Sequence, residues 1–213
     1  MARRVATGQP LTIMALGSSS TAGAGASSPA ASYPSRLEAE LKARFPSLAI
    51  KVINRGVNGE EAADMLKRFD QAEIDDMPDV VLWQVGTNAV LRDNPFRPVD
   101  RLIKEGLAKM RLLGADVVLI DPQFAPKVIV KPDAEDMVEL IAAAAMSRGV
   151  DLFPRFAIMR EWRDKDGVPF EAFLSPDQLH MNDWGYACLA KLLGAAMADA
   201  ATRPVAAARA STR

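Results

Sequence analysis

The stretch "LTIMALGSSSTAG", Leu11 to Gly23, decides how the rest of the chain is read. Its first six residues are almost all apolar, show no alternation, and end at Gly17. Side chains along a strand point alternately to its two faces. An unbroken apolar run therefore fits a strand covered on both sides, as in a parallel sheet between helical layers. Three hydroxyls, Ser18, Ser19 and Ser20, then stand where that strand ends. Small polar residues after a strand make a loop in any fold, and one such serine can also be a nucleophile held at the strand's carboxyl end. The stretch alone leaves both readings open.

Working outward, similar apolar runs predict four more strands: "LAIKVIN" (Leu48–Asn54), "DVVLWQVG" (Asp79–Gly86), "ADVVLID" (Ala115–Asp121) and "VDLFP" (Val150–Pro154). Helical patterns separate them. Leu37, Leu41 and Phe45 recur at four-residue spacing behind Ser32, a candidate N-cap, and Pro34, which suits a first turn. Helices are also expected over Gly59–Glu73, with acidic residues at its start, and over Val99–Gly114, Asp133–Gly149 and Arg155–Asp164. A last helix follows Asn182, with Asn182 and Asp183 as its caps.

This alternation predicts an α/β, flavodoxin-like three-layer sandwich: a central parallel sheet of about five strands with helices on both faces. Residues 1–213 are expected to form a single domain, with a core from about 11 to 200 and a disordered tail over 201–213. The longest aperiodic segment, "DPQFAPKVIVKPD" (Asp121–Asp133), is expected to lay apolar side chains over a site at the sheet's carboxyl edge.

Composition narrows the function. The chain has 213 residues, 26 Lys plus Arg against 27 Asp plus Glu, and a net charge of −1. That balance offers no electrostatic grip on nucleic acid or anionic membrane, so neither is an expected partner. No apolar run approaches the ~20 residues of a membrane span. Arg3 and Arg4 before an apolar stretch resemble a secretory leader, but the stretch is short and lies behind Gly8 and Pro10, so it reads as a strand. The expected location is cytoplasmic on the sequence as given, or periplasmic or secreted if a signal peptide was trimmed. The single cysteine, Cys188, has no intramolecular disulfide partner and reads as a buried, inert thiol; no Cys/His spacing suggests zinc. Any mechanism needing an imidazole must use His180, the chain's one histidine.

Ligands of an open parallel sheet bind beyond the carboxyl ends of its strands. Strand one delivers Gly17-Ser18-Ser19-Ser20, strand two "NRGVNGE" with Gly56 and Gly59, strand three Gly86-Thr87-Asn88, and the approach to the last helix "SPDQLHMND" with Asp177 and His180. Together these suit acyl transfer. A serine needs a base within hydrogen-bond reach, and an imidazole serves as base and then acid. An aspartate three residues earlier can hold the other ring nitrogen. A glycine N–H after strand two and the Asn88 amide are candidate donors to an oxyanion. A nucleotide site fits less well, because no Gly-Lys-Ser/Thr is present and strand two ends in Asn54 rather than an acid.

With these four blocks in order, the chain resembles the SGNH (GDSL-type) hydrolases over residues 11 to about 200. The family's G-D-S block matches Gly17-Ser18-Ser19, which implies Ser19 as nucleophile rather than Ser18 or Ser20. Its second block has a glycine five residues after an asparagine; Asn54 to Gly59 has that spacing, implying Gly59 rather than Gly56 in the oxyanion hole. G-x-N matches Gly86-Thr87-Asn88, implying Asn88 as another donor beside the Ser19 and Gly59 N–H groups, and D-x-x-H matches Asp177 to His180. The chain departs from the pattern at Ser18, where the family usually has Asp, at Glu60-Glu61, and at Ala89.

The resemblance implies a serine ester hydrolase with no metal or organic cofactor, acting on a small-molecule or carbohydrate ester. No lid insertion is visible between the strands, so short acyl esters are expected, a carbohydrate O-acetyl group first. The alternatives are a lysophospholipase or thioesterase of the same family, or a non-catalytic carbohydrate-binding module that keeps the fold. Trp83 reads as core, Trp162 and Trp184 as core or pocket wall, and the scattered methionines as core filler.

Overall fold

Leu11–Gly17 is β1, and it lies inside the sheet with a strand on each side because it has nothing to show to water: Leu11 and Ile13 to Leu16 are at most 1% exposed. It pairs in parallel with β2 (Ile50–Gly56) on one side and β3 (Val80–Gln84) on the other. β4 (Asp116–Ile120) and β5 (Asp151–Phe153) continue the parallel sheet in the order β2-β1-β3-β4-β5. That is the flavodoxin order, whose switch point between β1 and β3 opens a crevice at the carboxyl ends. The register places Gly17 beside Gly56, so two glycines stand together at the carboxyl ends of β1 and β2. The computed structural model describes residues 1–203, the side chains of 70–75 excepted.

In chain order the helices are α1 (Ala2–Thr7), α2 (Ser19–Ala22), α3 (Tyr33–Arg44), α4 (Ala62–Asp76), α5 (Thr87–Leu91), α6 (Phe96–Leu112), α7 (Pro126–Ile129), α8 (Ala134–Arg148), α9 (Arg155–Asp164), α10 (Phe170–Phe173) and α11 (Asp183–Thr202). α11 packs on α3 and α1, while α6 lies between α4 and α8, giving the sheet its two helical layers. None of the described helices is long and apolar enough to cross a membrane. Trp83 is fully buried on β3, as expected, with its indole N–H on the Met65 sulfur at 3.2 Å. Seven methionines lie in the core, while Met77 and Met146 are exposed.

Several local expectations need correction. Ser32 occupies the N-cap of α3, but its hydroxyl donates backward to Pro29 O at 2.7 Å and secures the preceding turn instead of the helix. α6 starts three residues ahead of Val99, since Pro98 in a first turn forfeits no hydrogen bond. Asn182 does cap α11, accepting from the Gly185 N–H at 3.0 Å, whereas Asp183 binds Ser27 across the surface. In the aperiodic segment Phe124, Ala125 and Val128 sink into the core, while Ile129 and Val130 are exposed. Cys188 is half-buried, not buried, though burial still pushes its thiol pKa up. Ala201 and Thr202 complete α11, and the rest of the expected disordered tail, 204–213, lies outside the described residues.

Candidate active site

The three serines have three different fates. Ser18 is 2% exposed, and both its N–H and its hydroxyl donate to Gln84 Oε1, at 3.0 and 3.1 Å. Ser20 is 1% exposed within α2. Ser19 opens that helix, half-buried, and its Oγ lies 2.7 Å from His180 Nε2. Gln84 at the end of β3 thus accepts both donors of Ser18, the residue that stands where the resemblance has Asp. The turn is closed from the other side by β2. A side chain at Gly56 would put Cβ 2.1 Å from Ala22 N, so only glycine lets α2 sit this close. Asn54 pins the turn, donating to Thr21 O at 2.8 Å and accepting from Gly56 N–H at 2.9 Å. The tight packing explains Gly56; it is not left open as an oxyanion donor.

His180 comes from a hairpin-like loop in which Leu174 and Met181 form an isolated antiparallel bridge and Ser175 N–H donates to His180 O at 2.8 Å. The chain doubles back through Gln178, whose φ of +59° is a left-handed conformation that costs a side-chain-bearing residue energy. Asp177 organises the turn. Its Oδ1 accepts from Ser175 Oγ at 2.7 Å and from the N–H groups of Leu179 and His180, both at 2.9 Å. Its Oδ2 lies 2.5 Å from His180 Nδ1. Partial burial pushes the carboxyl pKa up, but the hydrogen bonds from His180, Ser175 and Leu179 outweigh it and hold Asp177 well below the usual carboxylate range. The acid stays ionised, and Ser19, His180 and Asp177 form a continuous relay.

Two more loop segments border the serine turn. Val57 N–H donates to Gly17 O at 3.0 Å, fastening the loop after β2 to the end of β1. Gly59 adopts φ +78°, and that angle, not crowding, calls for glycine: an added Cβ would meet only Arg92 Nη2, at 3.6 Å. Arg92 donates to Gly59 O at 2.8 Å, while the Gly59 N–H has no acceptor among the described residues. Asn88 donates one amide hydrogen to Glu60 O at 2.7 Å, and an asparagine amide carries a second. Glu60 is clamped by Arg68 at 2.7 Å, and Glu61 pairs with Arg92, so the two acids that depart from the family pattern staple this loop. A cavity of about 20 Å³ lies between these segments, lined by Ser18, Glu60, Gln84 and Asn88 among others. Trp162 is core, and Trp184, 47% exposed, rests edge-on against it with ring centroids 5.7 Å apart.

An imidazole 2.7 Å from a hydroxyl, with its far nitrogen on an ionised carboxylate, can take the hydroxyl proton as an incoming carbonyl is attacked. Sequence reasoning missed Gln84, Ser175, and the buried group Arg155, Gln123 and Thr87; Gln84, Arg155 and Gln123 sit in no motif and act through contacts distant in sequence, while Ser175 and Thr87 lie inside quoted blocks at positions to which no role was given. Among the described residues, no group of three or more His, Cys, Asp or Glu is arranged to hold a metal ion.

Residues 1–203 match the Non-GDSL lipase-like family. A curated relative, an acetylxylan esterase of Geobacillus stearothermophilus, is 38% identical over 58 residues, which is 26% of either chain. Among solved structures, a two-domain esterase active on acetylated mannans superposes with a TM-score of 0.75 at 19% identity. That superposition covers 95% of this chain but 53% of the other, so the chain spans about half that protein's length. An acetyl xylan esterase superposes with a TM-score of 0.74 at 20% identity, covering 87% of this chain and 99% of its own. At these identities the superpositions establish the shared α/β fold.

Proposed function

Because the chain belongs to the Non-GDSL lipase-like family, we propose that it is a serine ester hydrolase in which Ser19 is the nucleophile, His180 the base and Asp177 its partner. The observation that carries this reading is the relay itself: Ser19 Oγ to His180 Nε2 at 2.7 Å and His180 Nδ1 to Asp177 Oδ2 at 2.5 Å, on the chain's one histidine. Ser19 Oγ attacks the ester carbonyl while His180 Nε2 accepts its proton, and Asp177 stabilises the imidazolium. The tetrahedral oxyanion is received by the Ser19 N–H at the start of α2, the Gly59 N–H and the second amide hydrogen of Asn88. His180 returns the proton to the departing alcohol. Water, deprotonated by the same imidazole, then releases the acid from the acyl-enzyme.

For substrate, the reading is a short acyl ester, first an acetyl group on a carbohydrate. The acetylxylan and acetylated-mannan esterases among the relatives support it, as do the short segments that join strands to helices beside Ser19. The test is acetate release from acetylated xylan and acetylated mannan, set against p-nitrophenyl acetate, butyrate and octanoate, for wild type and Ser19→Ala. Activity that falls with chain length, reaches a polysaccharide and vanishes in Ser19→Ala is expected. A preference for octanoate points instead to the lysophospholipase or thioesterase alternative. Binding of polysaccharide without turnover points to a binding module.

A further inference from the structure

Behind the start of α5, which bears Asn88, and the loop that bears His180 lies a polar cluster that the relay does not use. Arg155, the first residue of α9, is 0% exposed. Its Nε donates to Asp121 O and its Nη2 to Gln123 Oε1, both at 2.9 Å. Gln123, 1% exposed, also accepts from Thr87 Oγ1 at 2.9 Å and donates from Nε2 to Leu179 O at 3.3 Å. Thr87 immediately precedes Asn88, and Leu179 immediately precedes His180. One side-chain amide therefore touches the neighbours of two site groups carried on separate segments.

The amide's orientation follows from its partners. A guanidinium only donates, so the atom facing Arg155 must be the oxygen. The NH₂ then faces Leu179 O, which only accepts, and the two ends agree. Stability alone does not explain the cluster. Burying a guanidinium carries a large desolvation cost, and two of the cluster's atoms, Arg155 Nη1 and Asp121 Oδ2, are buried without a hydrogen-bond partner among the described residues. Asp121 is a reluctant counter-charge as well: burial pushes its carboxyl pKa up to about 7, against the pull of the Phe156 N–H and Arg155. Apolar residues of the same volume would fill this space with less penalty, so the cluster is better explained by the geometry that it imposes.

We propose that Gln123, oriented by the buried Arg155, is a positioning residue that fixes the His180 loop against the start of α5, where Asn88 sits. It holds base and oxyanion donor at a set separation without touching substrate. The inference rests on the working roles given above to His180 and Asn88.

Gln123→Glu tests it with little change of shape. The carboxylate still accepts from Arg155 and Thr87, but it presents an oxygen where Leu179 O needs a donor. Turnover of p-nitrophenyl acetate should fall ~10- to 100-fold in kcat, with KM within about twofold, as small misplacements of reacting groups do. Because the chain has one histidine, nitrogen-15 NMR reads the His180 ring directly and without turnover. Its ring signals should shift in Gln123→Glu and in Gln123→Met, which neither donates nor accepts as the amide does. Unchanged ring signals and kcat in both variants would overturn the proposal. So would unfolding of both, which would make the cluster a folding element only. If the ring signals shift but wild type hydrolyses no ester, the loop coupling stands and the esterase reading falls.

Discussion

The serine turn and the histidine loop deliver two groups that meet at 2.7 Å, yet they are built by opposite means. The serine turn is held by exclusion. Gly56 leaves no room for a side chain against α2, Gln84 takes both donors of Ser18, and Asn54 takes the carbonyl of Thr21. The histidine loop lies nearer to solvent, and its shape rests on one carboxylate, Asp177, which receives Ser175, Leu179, and both the backbone and ring of His180. Damage to a sterically closed turn registers first as lost stability. Damage to a loop organised by one charge registers first as lost chemistry.

Asp177→Asn should break that comparison most visibly. The amide oxygen can still accept the loop N–H groups, but an NH₂ facing His180 Nδ1 enforces the wrong tautomer, and kcat should fall ~10⁴-fold. The melting temperature should change little, and kinetics alongside thermal melts checks both halves. Asn88→Ala should remove one oxyanion donor and lower kcat ~10²- to 10³-fold, again read against an unchanged melt. Gly56→Ala should behave in the opposite sense: its Cβ would sit 2.1 Å from Ala22 N, so the loss falls at or beyond the upper end of the ~1–3 kcal/mol typical of overpacking. Chemical denaturation measures it.

The smallest effect concerns acid. The folded Asp177 resists protonation, while in the unfolded chain it takes up a proton near an ordinary aspartate pKa of ~3.9. The stability it contributes is present above that pH and is lost as the pH falls through the folded value. The stability gap between wild type and Asp177→Asn should therefore narrow below about pH 4. The effect is modest because the side chain is 42% exposed and screened. Melts of both proteins from pH 3 to 7 read it, and a gap that widens toward acid would contradict the role given to this carboxylate.

What was legible beforehand follows the range of the forces involved. The unbroken apolar run of β1 and the four-residue spacing of α3 are local, so the strands, the main helices and the parallel sheet could be read directly. The relay was legible because its members sit in short motifs and because one histidine leaves one candidate base. Illegible features depend on which partner a group finds once the chain has folded, most often a distant one. Ser32 looks like a cap until Pro29 O claims its hydroxyl. Gln84 reads as one polar residue in an apolar strand, and only folding puts it beneath Ser18, 66 residues away. Gln123 hides in a segment with no period, and its partners Thr87 and Leu179 lie 36 and 56 residues off. The six-residue α1 is too short to announce itself beside Gly8 and Pro10.

The most direct test of the central claim is covalent labelling of the folded wild-type protein with a fluorophosphonate, followed by mass mapping of the modified peptide. One adduct is expected, on Ser19, and its loss in His180→Ala. An adduct on Ser18 or Ser20, or no adduct on a protein that melts cooperatively, would contradict it.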